Sequence, residues 1–389
     1  MFRGKAAYLS KLTQNINLKS VDLNSNKLDG STPPGVFIGQ FGYPKVYVGP
    51  MLTTLQENCE LLDLPELWLQ QSRTSKEIVS FRLNLIRGKV LSNVKDLNNK
   101  FVNKLQEIAL AKKSVYSEAE FKSKPRGFCL HEEFQPFGPS AELQRFEIGN
   151  VKWQKDLQKA YYDRDLLAAE AVKQLYSKGV FFSQIQKALS VGAFGLGKNR
   201  KLVPTRWAIT AVDDILGKWL LEDVKQNPII DNYLVFEFSA LNNYFAVLLM
   251  PTLWQYENFE AFIKILGNEV LIYGDWEPWT GRKEYSEQGG CYYSIRFAIA
   301  EYLKAINRQA GAIVLREAYP GYIPLGVWAI RESVRSALKQ TPKEFHDLRS
   351  AIAYISSKLR LPISEFINRS VLLKTASQQT KLCKFFSLV

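Results

Sequence analysis

Apolar and polar residues change their period several times along the chain, and each change marks an element. The first 34 residues are polar and rich in Asn, Ser and Lys; they read as a helix and then a loop closing on "STPPG". "VFIGQFGYPKVYVGP" carries two β-rich runs around "GQFGYP", which predicts a hairpin with a glycine-bearing turn. Alternation in "EIVSFRLNLIRG" predicts a strand, and residues 91–112 have helical spacing. "FCLHEEFQPFGPSAEL" reads as a Pro/Gly loop packed through its aromatics. From about residue 154 the spacing turns helical through "WQKDLQKAYYDRDLLAAEAVKQLYSKG", with Gly179 as the C-cap. "FFSQIQKALSVG" predicts a short second helix, "GLGKNRKLVP" a loop, and residues 206–226 a long helix with Thr205 as N-cap. "DNYLVFEFSALNNYFAVLLMP" predicts two strands around an Asn-Asn turn, and "GNEVLIYGDWEP" another strand. A helix near 292–307, a strand in "GAIVLREAY", a helix in "LGVWAIRESVRSAL" and helical residues over 343–368 complete the pattern. No regular βαβ repeat runs through these elements. The expected class is therefore α+β, with mixed helices and mainly antiparallel strands. Near residue 372 the pattern gives way to a basic, polar tail, read as flexible.

Composition and charge narrow the class. At 46% hydrophobic and 23% charged residues, the chain has the make-up of a folded globular protein. Its 51 basic and 38 acidic residues leave a net charge of +13, a field that favours polyanions such as nucleic acid or nucleotides. The four cysteines, at 59, 129, 291 and 383, form no CxxC pair, so neither a zinc ribbon nor a disulfide framework is readable. They read as reduced thiols of a cytoplasmic protein. His131 and His346 are the only histidines, which excludes a His-rich metal site. The opening residues lack the apolar region of a signal peptide, and no run reaches the ~18 apolar residues of a membrane span. No membrane partner is expected.

Two regions carry candidate chemistry. "GAFGLGKN" nearly matches a P-loop through Gly192, Gly197 and Lys198, but Asn199 replaces the Ser/Thr, and a helix rather than a strand precedes it. A weaker phosphate role is open to Lys198, Asn199, Arg200 and Lys201, just ahead of a helix whose N-terminus attracts anions. On that helix Arg206 and Asp213 fall on the apolar stripe of Ile209, Val212, Leu216 and Leu220, where a charge is either paired or used. Farther along, Glu237 sits in a strand, and Asp275, Glu277 and Arg282 sit among tryptophans. Carboxylates at a strand end suit a hard ion such as Mg or Mn, and arginine beside tryptophan suits stacking on bases.

Several long stretches carry a resemblance. "STPPGVFIGQFGYPKVYVGPM", "SVGAFGLGKNRKLVPTRWAITAVDD", "GGCYYSIRFAIAEYL" and "VLREAYPGYIPLGVWAIRESVR" resemble the Nre family of archaeal DNA repair proteins. The resemblance implies an N-terminal region over 1–268, a C-terminal region over 269–372 and a tail over 373–389. It implies a part in DNA-damage repair without handing over a catalytic mechanism. Many members carry a cysteine-rich zinc motif near the N-terminus; here Cys59 stands alone, so no zinc is expected. Members often end in a PCNA-interacting peptide, Q-x-x-(L/I/M)-x-x-(F/Y)-(F/Y). Gln379, Leu382, Phe385 and Phe386 match every defined position. In one helical turn Leu382 and Phe386 would plug an apolar pocket, with Phe385 at its rim.

Three readings follow. The first is a repair factor recruited to the sliding clamp PCNA and contacting DNA through Lys198, Asn199, Arg200, Lys201, Arg206 and Arg282. The second is a metal-dependent nuclease or nucleotide hydrolase using Asp213, Glu237, Asp275 and Glu277. The third is a clamp adaptor without enzymatic activity.

Overall fold

A computed structural model describes residues 4–14 and 18–376. The clamp motif at Gln379, Leu382, Phe385 and Phe386, and with it the reading of the tail as flexible, lies outside the described residues. Two compact units divide the chain. One comprises Leu9–Leu216 with Pro324–Ala329; the other comprises Met1–Tyr8, Gly217–Ile323 and Ile330–Val389. Helices and strands mix in both, so the class is α+β as expected.

The first unit holds a six-stranded sheet of β1 (Lys27–Thr32), β2 (Val36–Ile38), β3 (Lys45–Leu52), β4 (Ile86–Asn93), β5 (Val115–Phe121) and β6 (Ser140–Ile148). The order is β1-β5-β6-β4-β3-β2, with only the β4–β6 pair parallel. The hairpin expected from "GQFGYP" is β2–β3, with Val36 opposite Pro50 and Ile38 opposite Val48. β1 forms where the polar opening predicted a loop, because β5 pairs with it along its whole length.

Local chemistry explains the other departures. "EIVSFRL" is not strand but the body of the helix Ser75–Leu83, and β4 follows at Ile86. Thr74 accepts from the Glu77 amide (3.3 Å) while Glu77 accepts from the Thr74 amide (2.8 Å). This reciprocal capping box satisfies two otherwise orphaned donors and commits the run to helix. The helical spacing over 91–112 resolves into the end of β4 and the helix Lys100–Leu110, where Asn99 caps the Phe101 amide (2.8 Å). The single helix expected from 154 is two, Lys155–Tyr162 and Ala168–Ser177. Asp163 breaks it by accepting the amides of Asp165 (3.1 Å) and Leu166 (3.0 Å), a local turn that competes with the helix. Gly179, with φ of 73°, terminates the second piece as predicted. The long helix runs Thr205–Val224, and its first cap position is Pro204, whose carbonyl accepts the Ala208 amide (2.9 Å). The Thr205 hydroxyl instead accepts the Ile38 amide (2.9 Å), tying the helix to β2.

The second unit holds β7 (Tyr233–Ala240), β8 (Asn243–Met250), β9 (Gln255–Ile263), β10 (Val270–Glu277), β11 (Gly311–Ala318) and β12 (Lys343–Phe345). They are ordered β10-β9-β11-β8-β7-β12, and only β9–β11 is parallel. The β7–β8 turn is made by Leu241 and Asn242, both at positive φ (53° and 58°), as a tight two-residue hairpin demands. β8 and β11 are buried from end to end. The helix Gly290–Ala305 packs on one face, through Tyr292 on Tyr256 and Tyr302 on Phe236. The helices Leu348–Ser356 and Ser364–Ile367 pack on the other, against Phe259, Ile313 and Leu315. The stretch 343–368, expected to be helical throughout, opens with the edge strand β12 instead.

Two charges side by side on β11 show how the unit tolerates them. Arg316 stands opposite Glu260 of β9 and pairs with it, and Lys5 reaches the same carboxylate. Burial pushes the Glu260 carboxyl up, but the two cations outweigh it and hold the group below its ordinary value. Glu317, on the opposite face, accepts the amides of Arg360 (2.9 Å) and Leu361 (2.8 Å) and the Tyr319 hydroxyl (2.7 Å). Buried charges of this kind are tolerated only when their partners are present.

Candidate nucleic-acid interface

The β2–β3 hairpin presents aromatic side chains to solvent. Phe41, in its turn, is 79% exposed, and Tyr43 and Trp207 are each about two-fifths exposed with ring centroids 5.2 Å apart. Gly42 makes this turn possible: its φ is 81°, and a Cβ there would lie 2.7 Å from the Lys45 carbonyl oxygen. Lys45 follows on the surface at the start of β3. Below the turn, the Arg87 guanidinium lies 4.3 Å over the Phe37 ring and 5.4 Å over Phe137, and donates to the Tyr47 carbonyl (2.9 Å). Its Nε has no hydrogen-bond partner among the described residues. Burial brings its pKa down to about 10, which leaves it charged at neutral pH.

The start of the helix Thr205–Val224 adjoins the hairpin. Arg206 donates weakly to Gln40 (3.5 Å) and forms an ion pair with buried Glu133. His131 stacks on Phe134 (4.2 Å, 8° between planes), and its Nδ1 accepts the Glu133 amide (3.0 Å). Burial pulls the imidazole below its ordinary value; Glu133 opposes this and Arg206 adds to it. Arg206 is thus half-buried and paired, while Asp213, farther along, is wholly buried beside Val212 and Leu216. In the preceding loop Lys198, Asn199 and Lys201 are exposed. Arg200 is spent on structure: its guanidinium donates to the carbonyls of Gly195 (2.8 Å), Tyr161 (2.6 Å), Ala193 (2.9 Å) and Asp163.

Close to the hairpin lies a small open cleft of about 40 Å³. Phe37, Met51, Phe134 and Ile209 supply apolar wall, and Asp63, Arg82 and Lys187 supply charge. Asp63 pairs with Arg82 and with Lys187 (2.8 Å), and both Asp63 and Arg82 are almost fully buried.

The carboxylates of the second unit are held by donors of that unit. Glu237 accepts the hydroxyls of Tyr244 (2.9 Å) and Tyr354 (2.6 Å) and raises the Tyr354 pKa to about 12. Asp275 pairs with Arg282 and accepts from Ser286 Oγ (2.7 Å). Glu277 takes Arg296 (3.0 Å), the Tyr292 hydroxyl (3.1 Å) and Trp254 Nε1 (3.3 Å). Asp275 and Glu277 share a face of β10, two residues apart. Their oxygens already have cationic and hydroxyl partners, which a metal ion would have to displace. Arg282 also donates to the Glu284 (2.9 Å) and Trp276 (3.2 Å) carbonyls. Burial raises the Cys59 pKa to about 12 and the Cys129 pKa to about 11, so both thiols stay protonated and unreactive.

The candidate interface has members that the sequence did not single out: Phe41, Tyr43, Trp207 and Arg87. One signal pointed to Phe41 and Tyr43, an aromatic on each side of Gly42 within a predicted turn; Trp207 and Arg87 come from distant segments that no local pattern joins to it.

Comparison with known proteins identifies the family. The N-terminal family model of archaeal Nre matches residues 3–265, and the C-terminal one matches residues 277–385. The chain is similar to DNA repair protein NreB of Archaeoglobus fulgidus, at 40% identity over 358 residues and 90% of each chain. It is 34% identical to DNA repair protein NreA of the same organism, covering 95% of this chain and 92% of that one. Its identity to DNA repair protein NreA of Haloferax volcanii is 30%, covering 93% of this chain and 90% of that one. No solved structure matches the chain.

Proposed function

Because the chain belongs to the archaeal Nre family, we propose that it is a DNA repair factor that holds unpaired DNA on the hairpin end of its first unit. In the same reading it reaches the sliding clamp PCNA through Gln379, Leu382, Phe385 and Phe386. The observation that carries the DNA contact is Phe41, 79% exposed, next to the Tyr43–Trp207 pair and flanked by Lys45 and Arg206. Water does not favour three aromatic rings at one end of a sheet; stacked bases do. Each such stack is worth about 1–3 kcal/mol, and the basic side chains meet the intervening phosphates. The net charge of +13 draws the strand in over a longer range. Lys198, Asn199 and Lys201 extend this basic surface, and Arg200 holds the loop that carries them.

Fluorescence anisotropy with a labelled single-stranded oligonucleotide tests the contact. Phe41→Ala and Trp207→Ala should each weaken binding by roughly 5- to 150-fold, the equivalent of about 1–3 kcal/mol. The melting temperature should hold in Phe41→Ala, since Phe41 buries little surface. Unchanged affinity in both variants removes the hairpin from the interface.

A further inference from the structure

We infer that β10 joins two copies of this chain, edge to edge and antiparallel about Ile272. A strand at the edge of a sheet carries a row of unpaired amides and carbonyls, which proteins ordinarily blunt with charge, proline or brevity. Three of the four sheet edges are blunted in this way. β2 and β12 have three residues each, β12 follows Pro342 and bears exposed Lys343 and Glu344, and β1 bears exposed Lys27 and Asp29. β10 is eight residues long, and residues 270–274 include neither charge nor proline. Val270 is 39% exposed, and Gly274 is exposed as well.

The register shows which backbone groups point outward. The Lys264 amide donates to the Glu269 carbonyl (3.0 Å), so the odd-numbered residues bond to β9, and Val270, Ile272, Gly274 and Trp276 face away from it. Trp276 is closed off: its amide donates to Asp275 Oδ1 (2.9 Å) and its carbonyl accepts from Arg282 (3.2 Å). Val270, Ile272 and Gly274 have no such cover among the described residues. A second copy is the occupant because the strand fits itself. Antiparallel about Ile272, Val270 of each copy stands opposite Gly274 of the other, and Leu271 opposite Tyr273. The three outward residues then exchange about six backbone hydrogen bonds. No side chain rises from Gly274; the Phe259 ring lies across it, 2.4 Å from where a Cβ would stand, and offers the facing valine an apolar floor. Tyr273 already packs edge-on against Phe262 (6.2 Å), and the facing leucine extends that row. Glu269 arrives opposite Asp275, whose charge Arg282 already meets. So short a pairing buries less than the ~1,200 Å² of a standard interface, and about micromolar association is expected.

Sedimentation equilibrium of the full chain tests the association, in salt above ~0.15 M to screen the +13 charge of each copy. Between about 1 and 100 µM the mean mass should rise from one chain toward two. Amide hydrogen exchange locates the contact: residues 270–274 should exchange several-fold more slowly at the higher concentration than at the lower. Val270→Lys, at an exposed position, should hold the chain monomeric at an unchanged melting temperature. If that variant folds poorly, Ile272→Pro replaces it, since it removes an amide that points away from β9 and an edge strand tolerates proline there. It too should be monomeric. One-chain mass at every concentration overturns the inference. So does a dimer whose 270–274 amides stay unprotected, or one that survives the substitution in a folded variant.

Discussion

His131 sits where its own protonation works against the fold. Stacked on Phe134 and buried near Arg206, it has a folded-state pKa below the ordinary 6.5. Between 6.5 and that lower value the unfolded chain binds more protons than the folded one. Stability therefore falls as pH drops through this window, and the loss levels off below the folded pKa. His131→Gln should remove that slope. Melting temperatures of the two proteins, taken from about pH 7 to about pH 5, should diverge from each other as His131 begins to titrate. Parallel curves would mean that His131 contributes nothing to the acid response. Little of this was legible beforehand: a lone histidine in a Pro/Gly loop gives no sign of what it stacks on. The same holds for Arg206. Helical spacing put it on a stripe with Ile209 and Val212, yet its charge is satisfied by Glu133, which arrives from a loop more than seventy positions earlier.

Elements reward local chemistry over periodicity. "EIVSFRL" alternates well enough to suggest a strand, but the Thr74–Glu77 capping box settles it as helix. Asp163 cuts one long helical pattern into two for a related reason. The hairpin over "GQFGYP" was legible because glycine in a turn between β-rich runs is a strong signal. Gly42→Ala tests how far that turn places Phe41. Positive φ costs a side chain about 1–2 kcal/mol, and the new Cβ would also meet the Lys45 carbonyl oxygen at 2.7 Å. Lower thermal stability and weaker single-stranded DNA binding are expected together. Gly127→Ala is the control: its φ is 76°, but nothing lies within 4 Å of the added atom. It should lower stability and leave DNA affinity alone; equal losses of affinity in both variants would detach the turn from binding.

At the scale of the whole molecule, two modes of attachment are expected to reinforce one another. Calorimetric titration of PCNA should give about micromolar binding that disappears in a Phe385→Ala/Phe386→Ala double variant, with the melting temperature unchanged. Truncation belongs after Ala376, because Leu372 and Leu373 are buried in the core of the second unit. A marked fall in melting temperature in the double variant would assign those rings to the fold instead. Tethering to the clamp should then raise apparent DNA affinity by about 10²–10⁴-fold.

By itself the sequence determined the α+β class, both hairpins, most of the helices in the second half of the chain and membership of the Nre family. All of these depend on neighbours along the chain: alternation, capping, turn glycines and contiguous matched stretches. Tertiary structure alone decided how the strands pair outside those two hairpins. β7, β8 and β9 fall within the N-terminal family match, yet they form one sheet with β11 and β12 of the C-terminal match. β1 and β12 exist because β5 and β7 pair with them, not because their own residues demand it. The candidate interface and the cleft beside it are likewise assembled from segments distant in sequence, joined by the Thr205–Ile38 hydrogen bond and the Asp63 ion pairs. Burial and charge pairing are properties of the packed molecule, so no local pattern announces them.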